Sequence, residues 1–542
     1  MNFFKKFILF FFLIIHSYIC KANYFKNWKF WHPHSNDLKL AFEKSSKKNS
    51  NWFFSDLIGS TKMLDYKTTK APLSDFNFVE LEIKNTFDIN GPIALNGMKN
   101  NNIISTHSIK GLSDKIKVSV PFIDFNKYRI DAEEKMPELY QKNNTIKMRE
   151  LFRKTKKIKL SIGINQGDAS NTYISFLPVV GWNNYNKIMF GAVLHNIFLY
   201  EKRIEYKIMP LYAFGTKDIE GGGDVSYHIY PKNKNIYRIT LGTGISRYAF
   251  GKDEYTRPSD AFHYSGILHF TKINTKIIFS HKNKKSQNHF SSNLTLRNIL
   301  INRDIPYSYD FKKQNANILY WQVAFERKNT IPLIYSTQKL NITTGNKMMI
   351  VKSEMTNFIN YGKAKKGFNI RLFGGYLSIP ALSPYQIDSR ISLSGKSGKD
   401  DYLFDEIFLG RTEENGLLSK QFVNDYAGFK TPTTYYRLAE KWMFGFNVNT
   451  TLPGLLPFRI FANTGVFDNS DNRGEYGKIS WEIGVDLPII KDIFVIYFPF
   501  AYSKDLKDAV ERQKLDAGDL IRFEIHFNML NPFDSIKRSI KK

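Results

Sequence analysis

Two histidines two residues apart, His32 and His34, are the first side chains with the chemistry of a metal-ligand pair. In an extended segment both would point the same way. The intervening Pro33 makes a loop-packing role the expected one. Asp400, Asp401, Asp405 and Glu406 gather near Arg411 and offer hard oxygen ligands of the kind calcium takes. They lack the regular spacing of a calcium loop, so a solvated or ion-paired loop is expected. Glu220-Gly221-Gly222-Gly223 has the glycines of a phosphate loop. No Lys-Ser/Thr follows and Asp224 would repel phosphate, so the run reads as a hairpin turn. Ser161 and Ser175 have no G-x-S-x-G context. Lys363, Lys365 and Lys366 read as a solvated hairpin loop. Arg238, Arg297, Arg371 and Glu482 would line a lumen and act on passing anions if the segments around them closed into a barrel. No catalytic residue, cofactor-binding residue or metal ligand is assigned.

The elements that must position these residues follow from composition and period. The chain has 542 residues, enough for two or three domains. One cysteine excludes a disulfide scaffold and a cysteine-ligated metal centre. Charged residues at 24% exclude global disorder, and aromatics at 15% are high for a soluble enzyme. No apolar run reaches the length of a membrane-spanning helix. The net charge of +28 comes mostly from lysines spread along the chain beside Asn, Ile and Phe, as AT-rich coding would produce. Without a recognition motif or a basic block, nucleic acid is not an expected partner.

Lys5 and Lys6 precede the apolar run Phe7 to Cys20, the pattern of an export signal over 1–22 with cleavage after Ala22. An uncleaved anchor helix is the alternative, as is lipidation at Cys20, which Tyr18 and Ile19 disfavour. Residues 23–70 read as helical, with Ser35 or Asn36 as a cap and a second amphipathic stretch through Trp52, Phe53, Leu57 and Ile58. Residues 71–132 read as a small β-sandwich, residues 133–157 as a polar linker and 529–542 as a basic tail.

From 158 to 528 the chain alternates. Trp442, Phe444, Phe446 and Val448 interleave with Gly445, Asn447 and Asn449; Trp481, Ile483, Val485 and Leu487 interleave with Glu482, Gly484 and Asp486. Period two means one apolar and one polar face. Aromatic strand ends, polar faces rich in Gly, Asn, Arg and Glu, and the length of the region favour an antiparallel transmembrane β-barrel over a soluble sandwich. About 12–16 crossings fit. The last strand is expected to end at Phe527. The fold class is mainly β: a barrel preceded by a sandwich and a short helical segment.

Several stretches resemble gluzincin-type metalloaminopeptidases. Residues 25–66 are similar to the end of that family's catalytic region through Trp28, His32, Pro33, Asp37, Phe42, Trp52, Phe53, Asp56, Thr61, Asp65 and Tyr66. VELEIKNTFDINGPI, KVSVPF and YRIDAEEKMPELYQKNNTIK resemble its β-sandwich. YLFDEIFLGRTEENGLLSKQF (402–422), LPGLLPFRIFANTGVF (452–467) and DIFVIYFPFAYSKDL (492–506) resemble the C-terminal extension of Bacteroidetes-type members. The family's HExxH motif, two zinc-binding histidines around a general base, begins at none of the eleven histidines. The resemblance therefore implies a non-catalytic relative and carries over no catalytic residue. The expected product is an exported protein in the outer membrane, in contact with its lipid, its N-terminal part in the periplasm, with a structural or binding role. The alternatives are the anchor half of a split zinc peptidase and a porin-like channel. In the split-peptidase case a separate catalytic chain would cover Trp28, Trp31, Trp52 and Phe53.

Overall fold

The computed structural model describes residues 24–531 apart from 25–27, 29–31, 33, 61, 76–77, 101, 122–124, 126, 148–156, 164–170, 198–201, 232–234, 257–262, 283–288, 307–313, 332–333, 362–365, 379–389, 433–437, 453–457, 469–478 and 491–492. The export signal, the basic tail beyond 531, and Trp31, Lys363 and Lys365 lie outside the described residues.

Helix α1 (Ser35–Ser46) starts at His34, whose backbone N–H donates to Asp37 Oδ2 at 2.8 Å in a reciprocal cap. A π-helical turn follows at Trp52–Ile58. Seven strands then form two sheets. β1 (Tyr66–Asp75), β2 (Phe78–Asn85) and β5 (Lys115–Pro121) make the first, in the order β1-β2-β5. β3 (Ile93–Lys99), β4 (Asn102–Ile109), β6 (Lys127–Ile130) and β7 (Thr145–Lys147) make the second, in the order β4-β3-β6-β7. The alternation of Val79, Leu81 and Ile83 with Glu80, Glu82 and Lys84 has its reason here. The apolar three are fully buried with Tyr66, Leu95, Tyr128 and Ile130, while Lys117 pairs with Glu80 on the wet face at 3.3 Å. Phe53 and Leu57 are buried in this same core. The polar stretch after 132 contributes β7 to the second sheet, because Asn144 ties it to Ile130 through both backbone and side chain.

β8 (Lys157–Ile162) to β24 (Arg522–Ile525) form a closed barrel. Its wall runs through β9 (Asn171–Asn183), β10 (Lys187–His195), β11 (Ile204–Ala213), β12 (Asp218–Ile229), β13 (Arg238–Thr256), β14 (His263–Lys282), β15 (Phe290–Ile305) and β16 (Gln314–Thr330). It continues through β17 (Ile334–Gly345), β18 (Met348–Asn360), β19 (Gly367–Ser378), β20 (Trp442–Thr451), β21 (Arg459–Phe467), β22 (Ser480–Ile490) and β23 (Phe494–Tyr502). From β9 to β24 each strand pairs antiparallel with the next. β8 is the exception. It lies at the seam between β24 and β9 and runs parallel to β9, Ile158 opposite Thr172 and Ser161 opposite Ser175. Among the described residues the wall thus has 17 strands, one above the upper end of the expected range. β24 is shorter than expected: it stops at Ile525, and Phe527–Leu530 turn into a helix.

The outer face is apolar around the ring. Leu160, Phe190, Ile219, Ile245, Trp321, Phe444 and Trp481 all stand exposed. Water would penalise such a surface, whereas lipid accepts it, and closure leaves no unpaired edge inside the hydrocarbon. The wall is uneven: β14 has 20 residues and β21 has 9. About 9–11 suffice for a crossing, so the β13–β16 side stands well clear of the bilayer.

Candidate functional site: an inserted segment across the lumen

The connection between β19 and β20 does not run outside the wall. Its described part, 390–432, lies within the barrel, because its side chains meet inward-facing residues from most of the circumference. Ile391, Leu393, Phe404, Tyr426 and Phe429 form one buried cluster with Phe270 of β14, Ile301 of β15, Ile350 of β18, Phe373 of β19 and Phe467 of β21. Leu506 joins it from helix α2 (Lys504–Arg512), which follows β23 on the same end of the barrel. Glycines on the inner wall give the segment room. A Cβ on Gly465 would come within 2.6 Å of Leu393 and 3.0 Å of Phe429, and one on Gly445 within 2.9 Å of Ala427.

Charges fasten the segment to the wall. Asp405 accepts from Arg297 Nη2 at 2.8 Å and Nη1 at 3.0 Å, and from Lys272 of β14. Asp425 faces Lys352 of β18 at 2.9 Å and Lys396 of the segment itself at 3.1 Å. Arg371 is buried. It donates to Glu354 at 2.8 Å, to the Tyr426 carbonyl at 2.8 Å and to Asn447 Oδ1 at 2.9 Å. Glu482 is fully buried and accepts from the backbone N–H of Lys430 (2.6 Å) and Thr431 (2.9 Å), the Thr431 hydroxyl (2.7 Å) and Asn463 (2.7 Å). Glu524 of β24 accepts from the Asn424 N–H at 2.9 Å. Charge-assisted bonds of this kind, made where water is scarce, are individually strong and costly to break one-sidedly.

The structure brings together some of the residues singled out above and separates others. Arg297, Arg371 and Glu482 do face the lumen, yet each is engaged by the inserted segment or its supports rather than left to meet an anion. Asp401 caps its own turn, accepting from the N–H groups of Asp405 (3.3 Å) and Glu406 (2.9 Å), and pairs with Arg411 at 3.0 Å. Asp400 accepts from Ser397 N–H and hydroxyl. Two of the four carboxylates are thus ion-paired, Asp401 within the segment and Asp405 to the wall. Among the described residues no group of three His, Cys, Asp or Glu side chains is set to hold a metal.

The run Glu220–Asp224 is not a turn. It lies within β12, whose hairpin to β11 is at 214–217. Gly221 has a φ of +121°, and a Cβ there would sit 1.9 Å from the Met209 carbonyl. The glycines permit close strand approach, and Glu220 is buried against Asn186 (3.2 Å) and Arg247 (3.3 Å). Ser161 and Ser175 are ladder partners at the seam. His32 and His34 are exposed at the start of α1, where His34 caps the helix with Asp37. The residues that the sequence reading missed are Lys272, Lys352, Glu354, Lys396, Asp425, Lys430 and Glu524. Their signal was present as charges on polar faces of alternating strands, together with a long non-alternating stretch between β19 and β20.

The sandwich meets the barrel on the end opposite the insertion. Arg203, beside β11, lies 5.6 Å from the ring centres of both Tyr140 and Tyr227, and Tyr140 is 6.5 Å from Tyr230. Behind Tyr140, Asp65 is buried and accepts its N–H at 2.9 Å. Burial raises the Asp65 carboxyl above its usual range. Burial also pushes Glu138 up to about 8, with Asp65 and Asp131 adding to the rise and Asn144 and Arg129 opposing it.

Fold and site together define a transmembrane β-barrel protein of the outer-membrane type, with its lumen occupied by its own inserted segment. Among solved structures the chain is similar to BamA from Haemophilus ducreyi lacking POTRA domains 1-3, at 10% identity and a TM-score of 0.38, covering 90% of this chain and 95% of that one. It is similar to CdiB from Acinetobacter baumannii at 10% identity and a TM-score of 0.32, covering 61% of this chain and spanning 56% of CdiB. A ferric enterobactin receptor from Pseudomonas aeruginosa gives 7% identity and a TM-score of 0.26, over 80% of this chain and 67% of the receptor. No known family's profile and no curated protein matches the sequence.

The resemblance to gluzincin metalloaminopeptidases is corrected by these findings. It has no family or curated match behind it. The quoted stretches have other employment. Trp52 and Phe53 pack in or against the sandwich core, 402–422 belongs to the lumen segment, and 459–467 and 494–502 are wall strands. Of the aromatic patch that a separate peptidase chain would cover, Phe53 is buried and Trp28 and Trp52 are half-buried. That partner loses its basis with the resemblance.

Proposed function

We propose that this protein is a non-conducting outer-membrane anchor that holds its N-terminal sandwich in the periplasm for a structural or binding role. The observation that carries the reading is the fastening of 390–432 across the lumen by Arg297, Lys352, Arg371 and Glu482. A passage for solutes needs these groups free and a water-filled path between them. Here they are spent on holding a packed segment. The sandwich, clasped to the barrel rim through Tyr140 and Arg203, is then the part left to meet partners.

The test is conductance in a planar bilayer. The native chain is expected to be silent. Removing 390–432 is expected to give steady channels while the barrel remains heat-modifiable on a gel. Steady conductance by the native chain would favour the porin-like reading instead.

A further inference from the structure

The two sheets of the sandwich have four edge strands, and three are guarded. β1 lies against β6 and β7, and it carries Lys67 and Pro72. β5 carries Lys115 and Lys117, paired with Glu82 and Glu80 of β2, and ends on Pro121. β7 is three residues long. Charges, proline and brevity are how natural sheets keep strangers from pairing with an edge.

β4 has none of these guards. It runs from Asn102 to Ile109 with no charged residue and no proline. Its ladder, among the described residues, is to β3 alone. Ile104 is 58% exposed and Ile103 40%, and Thr106, His107 and Ser108 are exposed beside them. Exposed Lys110 follows the strand directly. An edge of β-branched and hydroxyl residues with a cation at one end complements one kind of ligand. That ligand is an extended chain with an alternating, uncharged middle and an acidic end.

We propose that β4 is a strand-addition site for such an extended acidic-ended segment of a partner polypeptide. The proposal rests on reading the sandwich as the binding part of the protein. Main-chain hydrogen bonds to the free side of β4 supply the register, and Ile104 packs against an apolar side chain of the incoming strand.

The test uses the full chain in detergent micelles and a short fluorescent peptide of alternating valine and threonine, with two glutamates at each end. Saturable binding is expected by anisotropy, with protection of β4 amides against hydrogen exchange. Ile104→Lys puts a guard on an exposed position without touching the core, and is expected to weaken binding at least about tenfold. Lys110→Glu is expected to weaken it and to raise affinity for the lysine-ended version of the peptide. No binding by the native chain, or binding indifferent to both substitutions, overturns the proposal. So does concentration-dependent dimerisation abolished by Ile104→Lys, which would assign the edge to a second copy of this chain. A silent bilayer with no peptide bound would remove the edge site and leave the anchor reading standing. Conductance by the native chain would count against the anchor instead.

Discussion

Arg371 shows what single residues contribute here. Its guanidinium satisfies a wall carboxylate, a wall amide and a backbone carbonyl of the inserted segment at once. Arg371→Ala would leave Glu354 with Lys339 alone, at 2.9 Å, and strand the Tyr426 carbonyl. The expected cost is about 3 kcal/mol, seen as a lower temperature for the folded-to-unfolded gel shift. Glu482→Gln keeps the shape but removes the charge that four donors converge on. It should destabilise by roughly 1.5–3 kcal/mol and raise the open probability of the barrel in a bilayer. Glu138 predicts a pH dependence for the sandwich. An acid raised to about 8 in the fold keeps a proton that the unfolded chain releases near its ordinary pKa of about 4.3. Stability therefore falls as pH rises between those values, by roughly 1.4 kcal/mol per unit, and levels off above about 8. Thermal melting of the sandwich followed from pH 5 to 8 should show that slope, and Glu138→Gln should flatten it.

At the scale of elements, the wall strands divide their labour by parity. In β22 Trp481 and Ile483 face outward, while Glu482 and Asp486 are buried inward. A one-residue slip would turn both carboxylates to lipid, so the register is strongly specified. β8 is held on fewer terms: six residues, a parallel ladder to β9, and Ile158, Leu160 and Ile162 all strongly exposed. If that face meets hydrocarbon, Leu160→Lys should cost about 2–4 kcal/mol in lipid. The same change should cost far less on a soluble surface. Refolding yields into vesicles against urea would read the difference. The inserted segment depends on small residues opposite it. Gly465→Leu would drive a side chain into Leu393 and Phe429 and should loosen the segment, giving flickering conductance where the native chain is quiet.

For the whole molecule, closure is the property to measure. A ring of strands with every edge paired unfolds slowly in cold detergent, so the native chain should migrate differently before and after boiling. A chain whose mobility ignores boiling would not be this barrel. How much of this was legible in the sequence follows from how local each feature is. Alternation is written into consecutive residues, so the wall strands and the inward placement of Arg297, Arg371 and Glu482 could be read directly. The sandwich strand Val79–Ile83 was legible for the same reason. The position of β8 was not, since a parallel partner leaves no hairpin signature. Nor was the course of 390–432. Arg297 and Asp405 are 108 residues apart, and nothing in either neighbourhood names the other. The Glu220–Asp224 glycines looked like a turn because glycine permits both a turn and a close strand approach, and only the neighbouring Met209 carbonyl decides between them. The sequence by itself thus determined the faces, because the side of a strand on which a residue lies is a matter of parity. The tertiary structure alone decided the partners, because ion pairs and core contacts form between whatever the closed wall brings within a few ångströms.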